Sequence, residues 1–154
     1  MVKDKEAVRE LIAKSCVLLN AEDYTRFLSL CTPEFRYQLL VYSPEIRKEM
    51  VWMNYDRKGI EALFSELPHH LHVPLGSLYR HVSVYSIRPT DHTENAEVES
   101  SVIIVHTAPD GVSKLFAAAQ YRDVVSLAGE QPLLASRTTR LETRDIGVGT
   151  PIPL

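Results

Sequence analysis

An α+β fold, with about three helices in the first half gathered on the concave side of a strongly bent antiparallel sheet, is predicted by three observations. Apolar residues recur at three- and four-residue steps near the start of the chain. Apolar and polar residues alternate over long stretches from Leu78 onward, and turn residues separate those stretches.

Val8, Leu11, Ile12, Cys16 and Leu19 form one stripe of a helix running from about residue 5 to 19, with Asn20 ending it. A second, short helix is expected from about Glu22. Glu22 and Asp23 would sit in its first turn, where the helix dipole favours negative charge. Phe27, Leu28 and Cys31 would face inward, and Pro33 would mark the exit. Phe35, Tyr37, Leu39 and Val41 then alternate with Arg36, Gln38 and Leu40, the period of a strand with one face in the core. Residues 42–55 carry no pattern that assigns them. Asp56 can cap a third helix whose inward positions are Ile60, Leu63, Phe64 and Leu67, and Pro68 and Pro74 bracket a His-rich loop after it.

Four strands follow, over residues 79–87, 96–107, 114–127 and 133–144. The connectors Pro109-Asp110-Gly111 and Gly129-Glu130-Gln131-Pro132 are turn chemistry, since Gly supplies positive φ and Pro presets a corner. Consecutive strands joined this tightly run antiparallel. On the strand over 96–107, Val98, Ser100, Val102, Ile104 and His106 share one face. Glu97, Glu99, Ser101, Ile103, Val105 and Thr107 share the other, so both faces turn apolar toward its end. Such a strand is either covered by a neighbouring subunit, lines an internal pocket, or is buried within its own domain.

Length and composition bound what the chain can do. At 154 residues it is expected to form one domain, residues 1–154, burying about two thirds of its unfolded surface. Hydrophobic residues at 45% and charged residues at 24% exclude a disordered or fibrous class. Lys and Arg number 17 against 20 Asp and Glu, without a basic run that could follow a phosphate backbone, so nucleic acid is not an expected partner. No apolar run approaches the roughly 18 residues that span a bilayer. The N-terminus lacks an apolar leader, so a cytoplasmic location and no membrane partner are expected. Cys16 and Cys31 read as small buried hydrophobes.

Several segments together resemble a known family. Residues 6–19 followed by Ala21-Glu22-Asp23-Tyr24-Thr25-Arg26-Phe27-Leu28 resemble the opening helices of the small (β) subunits of aromatic-ring-hydroxylating Rieske-type dioxygenases, within the nuclear transport factor two-like superfamily. Thr32-Pro33-Glu34-Phe35-Arg36-Tyr37 resembles their first strand, and Tyr79-Arg80-His81 the Arg-His start of another. Phe116 through Tyr121-Arg122-Asp123 is similar to their aromatic-Arg-Asp segment. The chain departs from the family at Ala119, where a Gly is common. The resemblance implies a cone-shaped (cystatin-like) α+β fold and a non-catalytic structural subunit of a multicomponent oxygenase. It also implies self-association as a trimer and assembly with a large α subunit into a hexamer of three α and three β subunits, in aromatic compound catabolism. The Rieske 2Fe-2S cluster and the mononuclear iron would both lie on the α subunit, leaving no cofactor or metal in this chain. The chain's own cysteines agree, because a Rieske centre needs Cys-x-His and Cys-x-x-His pairs, whereas Cys16 precedes Val17-Leu18 and Cys31 precedes Thr32-Pro33.

Arg122 and Asp123 are adjacent on a strand, so they point to opposite faces and each needs another partner. Arg80, Arg137 and Arg140 are candidates for Asp123, Glu97 and Glu99. With His81 and Tyr121, these residues make up the expected interface set: Arg80, His81, Tyr121, Arg122, Asp123, Arg137 and Arg140. His69-His70-Leu71-His72 could offer imidazoles to a metal, but no carboxylate lies near in sequence to complete a facial triad, and an interfacial role is expected instead.

Two other classes stay open. Enzymatic relatives of the cone fold hold an acid-base group inside it. Asp23, Tyr24, His81 and His106 stand at similar places in the element order and could run a dehydration or isomerisation. A stand-alone binding protein would instead line the cone with Tyr24, Phe27, Trp52, Phe64 and Tyr121.

Overall fold

The computed structural model describes residues 4–67, 76–91, 94–146 and 153–154. The elements in order are α1 (Lys5–Asn20), α2 (Tyr24–Ser29), β1 (Cys31–Ser43), β2 (Lys48–Tyr55), α3 (Arg57–Glu66), β3 (Ser77–Pro89), β4 (Asn95–Thr107), β5 (Ser113–Ser126) and β6 (Leu133–Leu141). The α+β class holds: a single curled six-stranded sheet, in the order β2-β1-β6-β5-β4-β3, carries the three helices.

Each helix begins on an aspartate whose carboxylate accepts an otherwise unpaired amide. Asp4 accepts from Ala7 at 2.9 Å, Asp23 from Arg26 at 3.2 Å and Asp56 from Gly59 at 2.8 Å. The first helix keeps its predicted stripe, with Val8, Leu11, Ile12, Cys16 and Leu19 all buried. In α3, Ile60 and Phe64 are buried and Leu67 closes the end, while Leu63 is only half-buried. Among the described residues no helix is long and apolar enough to cross a membrane.

The second helix is shorter than expected. Glu22 adopts φ 55 outside it, Asp23 is its cap rather than part of its first turn, and Cys31 already belongs to β1. Pro33 therefore lies inside a strand instead of marking a helix exit. Proline has no amide to give the ladder, and the pairing of β1 with β6 shifts register between Cys31 and Arg36, the interval that contains it. The larger difference is β2, which occupies most of the unassigned stretch 42–55 and pairs antiparallel with β1.

The last four strands form the antiparallel meander that their tight connectors predict. At Gly111, φ is +87, and its amide donates to the Ala108 carbonyl at 2.8 Å, closing the turn between β4 and β5. The join between β1 and β6 is parallel, a pairing the local pattern does not reveal because it links strands far apart in sequence. Gly76, just ahead of β3, has φ +106, and a Cβ there would run into the Thr107 carbonyl oxygen.

Alternation divides the sheet into two faces. Tyr37, Leu39 and Val41 of β1, Val98, Val102 and Ile104 of β4, and Ala117, Ala119 and Val125 of β5 are buried beneath the helices. The other face is open: Ile103 is half-exposed, so the apolar turn of β4 faces outward there rather than into the protomer's own core.

Candidate functional site

The inner face of the sheet holds a polar cluster within the apolar core. Asp123 of β5 and Arg137 of β6 are register partners, and both are fully buried. The guanidinium grips the carboxylate with two bonds, from Nε to Oδ1 at 2.8 Å and from Nη2 to Oδ2 at 3.1 Å. Nη2 also donates to the Ser15 hydroxyl at 2.8 Å, and that hydroxyl donates to the Ile12 carbonyl. Tyr121, two residues before Asp123 and on the same face, lies with its ring 4.1 Å from the guanidinium carbon. Burial pulls the Arg137 guanidinium toward neutrality, but Asp123 and Tyr121 beside it prevail and hold it above its ordinary range. Burial pushes the Tyr121 phenol up, and its hydroxyl has no hydrogen-bond partner among the described residues.

A second part of the cluster surrounds the segment 153–154. The Tyr37 hydroxyl accepts from the Leu154 amide at 3.0 Å and donates to the Leu154 oxygen at 3.3 Å, where the Thr139 hydroxyl also donates at 3.3 Å. Arg80 Nη2 donates to the Pro153 carbonyl at 2.8 Å, and its Nη1 and backbone amide reach the Asn20 side-chain oxygen at 3.2 and 2.9 Å. Leu154 itself is fully buried.

On the outer face the charges pair across exposed strands. Arg122 reaches Glu97 at 3.5 Å and Glu99 at 3.4 Å, Arg88 reaches the same two carboxylates, and Arg140 reaches Glu49 at 3.0 Å. A groove of about 240 Å³ runs over this face past Leu40, Glu49, Tyr85, Glu99, Arg122 and Arg140.

The expected interface set is thus divided by the pleat. Arg80, Tyr121, Asp123 and Arg137 are not surface residues. Alternation turns them toward the helices, where intramolecular partners hold them. Arg122, Arg140 and His81 stay exposed, and His81 packs against the Tyr79 ring at 4.8 Å. Asn20, Tyr37 and Leu154 also belong to the inner cluster, and Ser15 and Thr139 join it without having been singled out from the sequence. Ser15 was the detectable one, as a polar residue on the apolar stripe of α1.

The four residues of the acid-base alternative do not form a unit. Asp23 is occupied as the α2 cap and as an ion-pair partner of Arg26 at 3.5 Å. Tyr24 stacks on Phe64 at 4.4 Å, its phenol pushed up to about 12 by burial. His81 lies on the outer face, whereas His106 lies near Phe116 at 6.5 Å. Of the aromatics proposed to line a ligand cone, Phe27 packs edge-on to Phe35 and Phe64 in the core, and Trp52 lies exposed on β2. Both cysteines are buried and free. The Cys31 thiol donates to the Phe27 carbonyl at 3.4 Å and is pushed up to about 12 by burial, against the pull of Arg137 and Arg57. Cysteines in these surroundings do not fit the ligation of an iron-sulfur cluster. The segment His69-His70-Leu71-His72 lies outside the described residues.

The chain is similar to known proteins in sequence, and it shares its fold with solved structures. The chain is 32% identical over 157 residues to the β subunit of the methanesulfonate monooxygenase hydroxylase of Methylosulfonomonas methylovora, covering 97% of this chain and 86% of that protein. It is 27% identical to the β subunit of 2-aminobenzenesulfonate 2,3-dioxygenase of an Alcaligenes species, covering 98% and 99%. Among solved structures, the β subunit of benzoate 1,2-dioxygenase from Burkholderia mallei superposes with a TM-score of 0.68 at 12% identity, covering 88% of each chain. No protein-family model matches.

Proposed function

The chain belongs to the family of small (β) subunits of multicomponent ring-hydroxylating oxygenases, and from that premise we propose that it is a structural subunit that binds a large α subunit and self-associates as a trimer. The full assembly is a hexamer of three α and three β subunits, located in the cytoplasm. The Rieske cluster and the mononuclear iron sit on the α subunit, which also selects the substrate. The β chain holds α subunits in register so that electrons pass from one subunit's cluster to its neighbour's iron.

The observation that carries this reading is the identity to a hydroxylase β subunit along 97% of the chain. The inner cluster supports it: Asp123, the acid best placed for chemistry inside the cone, is held in two bonds by Arg137 rather than aimed at an open cavity. The outer face supports it too. Tyr85 is 70% exposed and Ile103 50%, beside an ion network that includes Arg122 and Arg140, and a mixed apolar and charged sheet surface of this kind suits a subunit contact.

The test is co-expression with a large α subunit from the same genome, followed by sizing chromatography. Co-elution at the mass of a hexamer is the expected result, and separate elution at physiological salt is the result that overturns the proposal. Both curated relatives are named for sulfonates, one aliphatic and one aromatic, so sulfonates are the first substrates to assay in the assembled enzyme.

A further inference from the structure

We infer that the trimer closes head to tail: the β1–β2 hairpin of one protomer packs against the outer face of β3, β4 and β5 in the next copy of this chain. This rests on the proposed self-association and names the surfaces that make it. Among the described residues, the exposed large apolar side chains other than Val17 fall into two groups. Tyr42, Ile46, Met50, Val51 and Trp52 belong to the β1–β2 hairpin. Tyr79, Tyr85, Ile103, Val112 and Leu115 belong to β3, β4, β5 and the turn leading into β5. In the sheet order β6 stands between the groups, so each lies toward its own edge of the sheet.

Strand pairing makes the two groups unlike in shape. Met50 and Val51 are adjacent on β2 and point to opposite sides, yet both are exposed, at 42% and 56%. A strand apolar on both sides normally lies within packed layers, and here it stands at an edge. The other group spreads over one face. Val105 opposes Tyr79 on one flank and Leu115 on the other, and Ile103 opposes His81. Leu115 is 65% exposed, so this face also lacks cover within the protomer. Symmetry decides what covers them. A contact of a patch with its own copy is two-fold, and two-fold contacts cannot build a ring of three. Such a ring needs two unlike patches on each chain, and one contact repeated around it buries both groups. A second copy of this chain is therefore the occupant that satisfies the hairpin and the sheet face at once.

The experiment measures self-association of the full chain by sedimentation equilibrium over a concentration series. Val51→Lys and Ile103→Glu replace exposed side chains, so the melting curve in circular dichroism is expected to stay where it is. Each alone is expected to weaken the trimer at least about tenfold. Combined in one chain they bring lysine toward glutamate wherever the hairpin of one copy meets the face of the next. The double variant is then expected to lose less than either single variant. Losses that add in the double variant, or a single variant that assembles like the unaltered chain, overturn the head-to-tail contact and leave the trimer standing. An unaltered chain that stays monomeric overturns the trimer and this contact together. If a charged variant fails to fold, Val51→Ser and Ile103→Ser take their places. Each of these is expected to weaken the trimer, and intact assembly in either overturns the contact.

Discussion

Asp123 and Arg122 are neighbours in sequence and opposites in consequence. Asp123 is fully buried, and its two bonds to Arg137 are its answer to the loss of water. Arg122 is largely exposed, and its contacts to Glu97 and Glu99 at 3.4 to 3.5 Å compete with solvent. Removing one partner of a buried pair strands the other charge, whereas removing an exposed pair changes stability by under about 1 kcal/mol. Asp123→Asn is therefore expected to lower the unfolding free energy by about 3–5 kcal/mol, read as a lower urea midpoint with the slope unchanged. Replacing both residues together, Asp123→Leu with Arg137→Met, should cost less than Asp123→Asn alone, since no charge is left behind. A single-mutant loss below about 1 kcal/mol would mean that water reaches the pair. This departs from the sequence-based expectation of Asp123 as an interface residue, for which a charge change would weaken assembly more than folding.

At the scale of elements, the link between the β1–β2 turn and the segment after β6 is ionic and open to solvent. Arg144 donates to both carboxylate oxygens of Glu45, at 2.9 and 2.8 Å. These bonds, with help from its own backbone amide and Ser43, lower the Glu45 carboxyl from its ordinary 4.5 to about 2. The folded value lies below the unfolded one, so the contact is fully present above about pH 4.5 and is lost as pH falls toward 2. A carbon-detected NMR titration of Glu45 should follow that range, and Arg144→Ala should return the midpoint toward 4.5. An unchanged midpoint in the variant would show that Arg144 is not the cause. The partners of this contact, 99 positions apart, could not be paired from the sequence. The same limit hid β2. Most of its residues are exposed, Met50, Val51 and Trp52 among them, so no apolar-polar alternation marks the strand. Where one face was buried the pattern was readable, as in α1 and β3 to β6, because burial is what imposes the period. In α2 local chemistry was legible but its assignment was not: Asp23 suits the first turn and the cap alike, and only the φ of Glu22 decides between them. For the inner cluster, Tyr121, Asp123, Arg137 and Arg80 were all singled out. Their burial was not foreseen, because periodicity tells which residues share a face and not which face the helices cover.

For the whole molecule, the proposed assembly would act on the outer surface of the sheet. A cyclic trimer closes through two unlike patches on each protomer. The two edge strands differ in this way: β2 exposes Val51 and Trp52, while β3 exposes Tyr79 and Tyr85 at the far edge. Between them lies the ion network of Glu97, Glu99, Arg88, Arg122, Arg140 and Glu49. Rim charges of this kind set register and partner choice more than affinity, and reversing one places like charges together. Arg122→Glu would put a third carboxylate beside Glu97 and Glu99, yet its side chain is 67% exposed, so water screens the repulsion within one protomer. The protomer's urea midpoint is then expected to move by about 0.5 kcal/mol or less in stability. Assembly is expected to suffer more, with the hexamer dissociating at lower protein concentration in sizing chromatography and rescued in part by raised salt. Equal losses of folding and assembly would remove Arg122 from the interface, and unaltered assembly would move the contact surface off this face of the sheet.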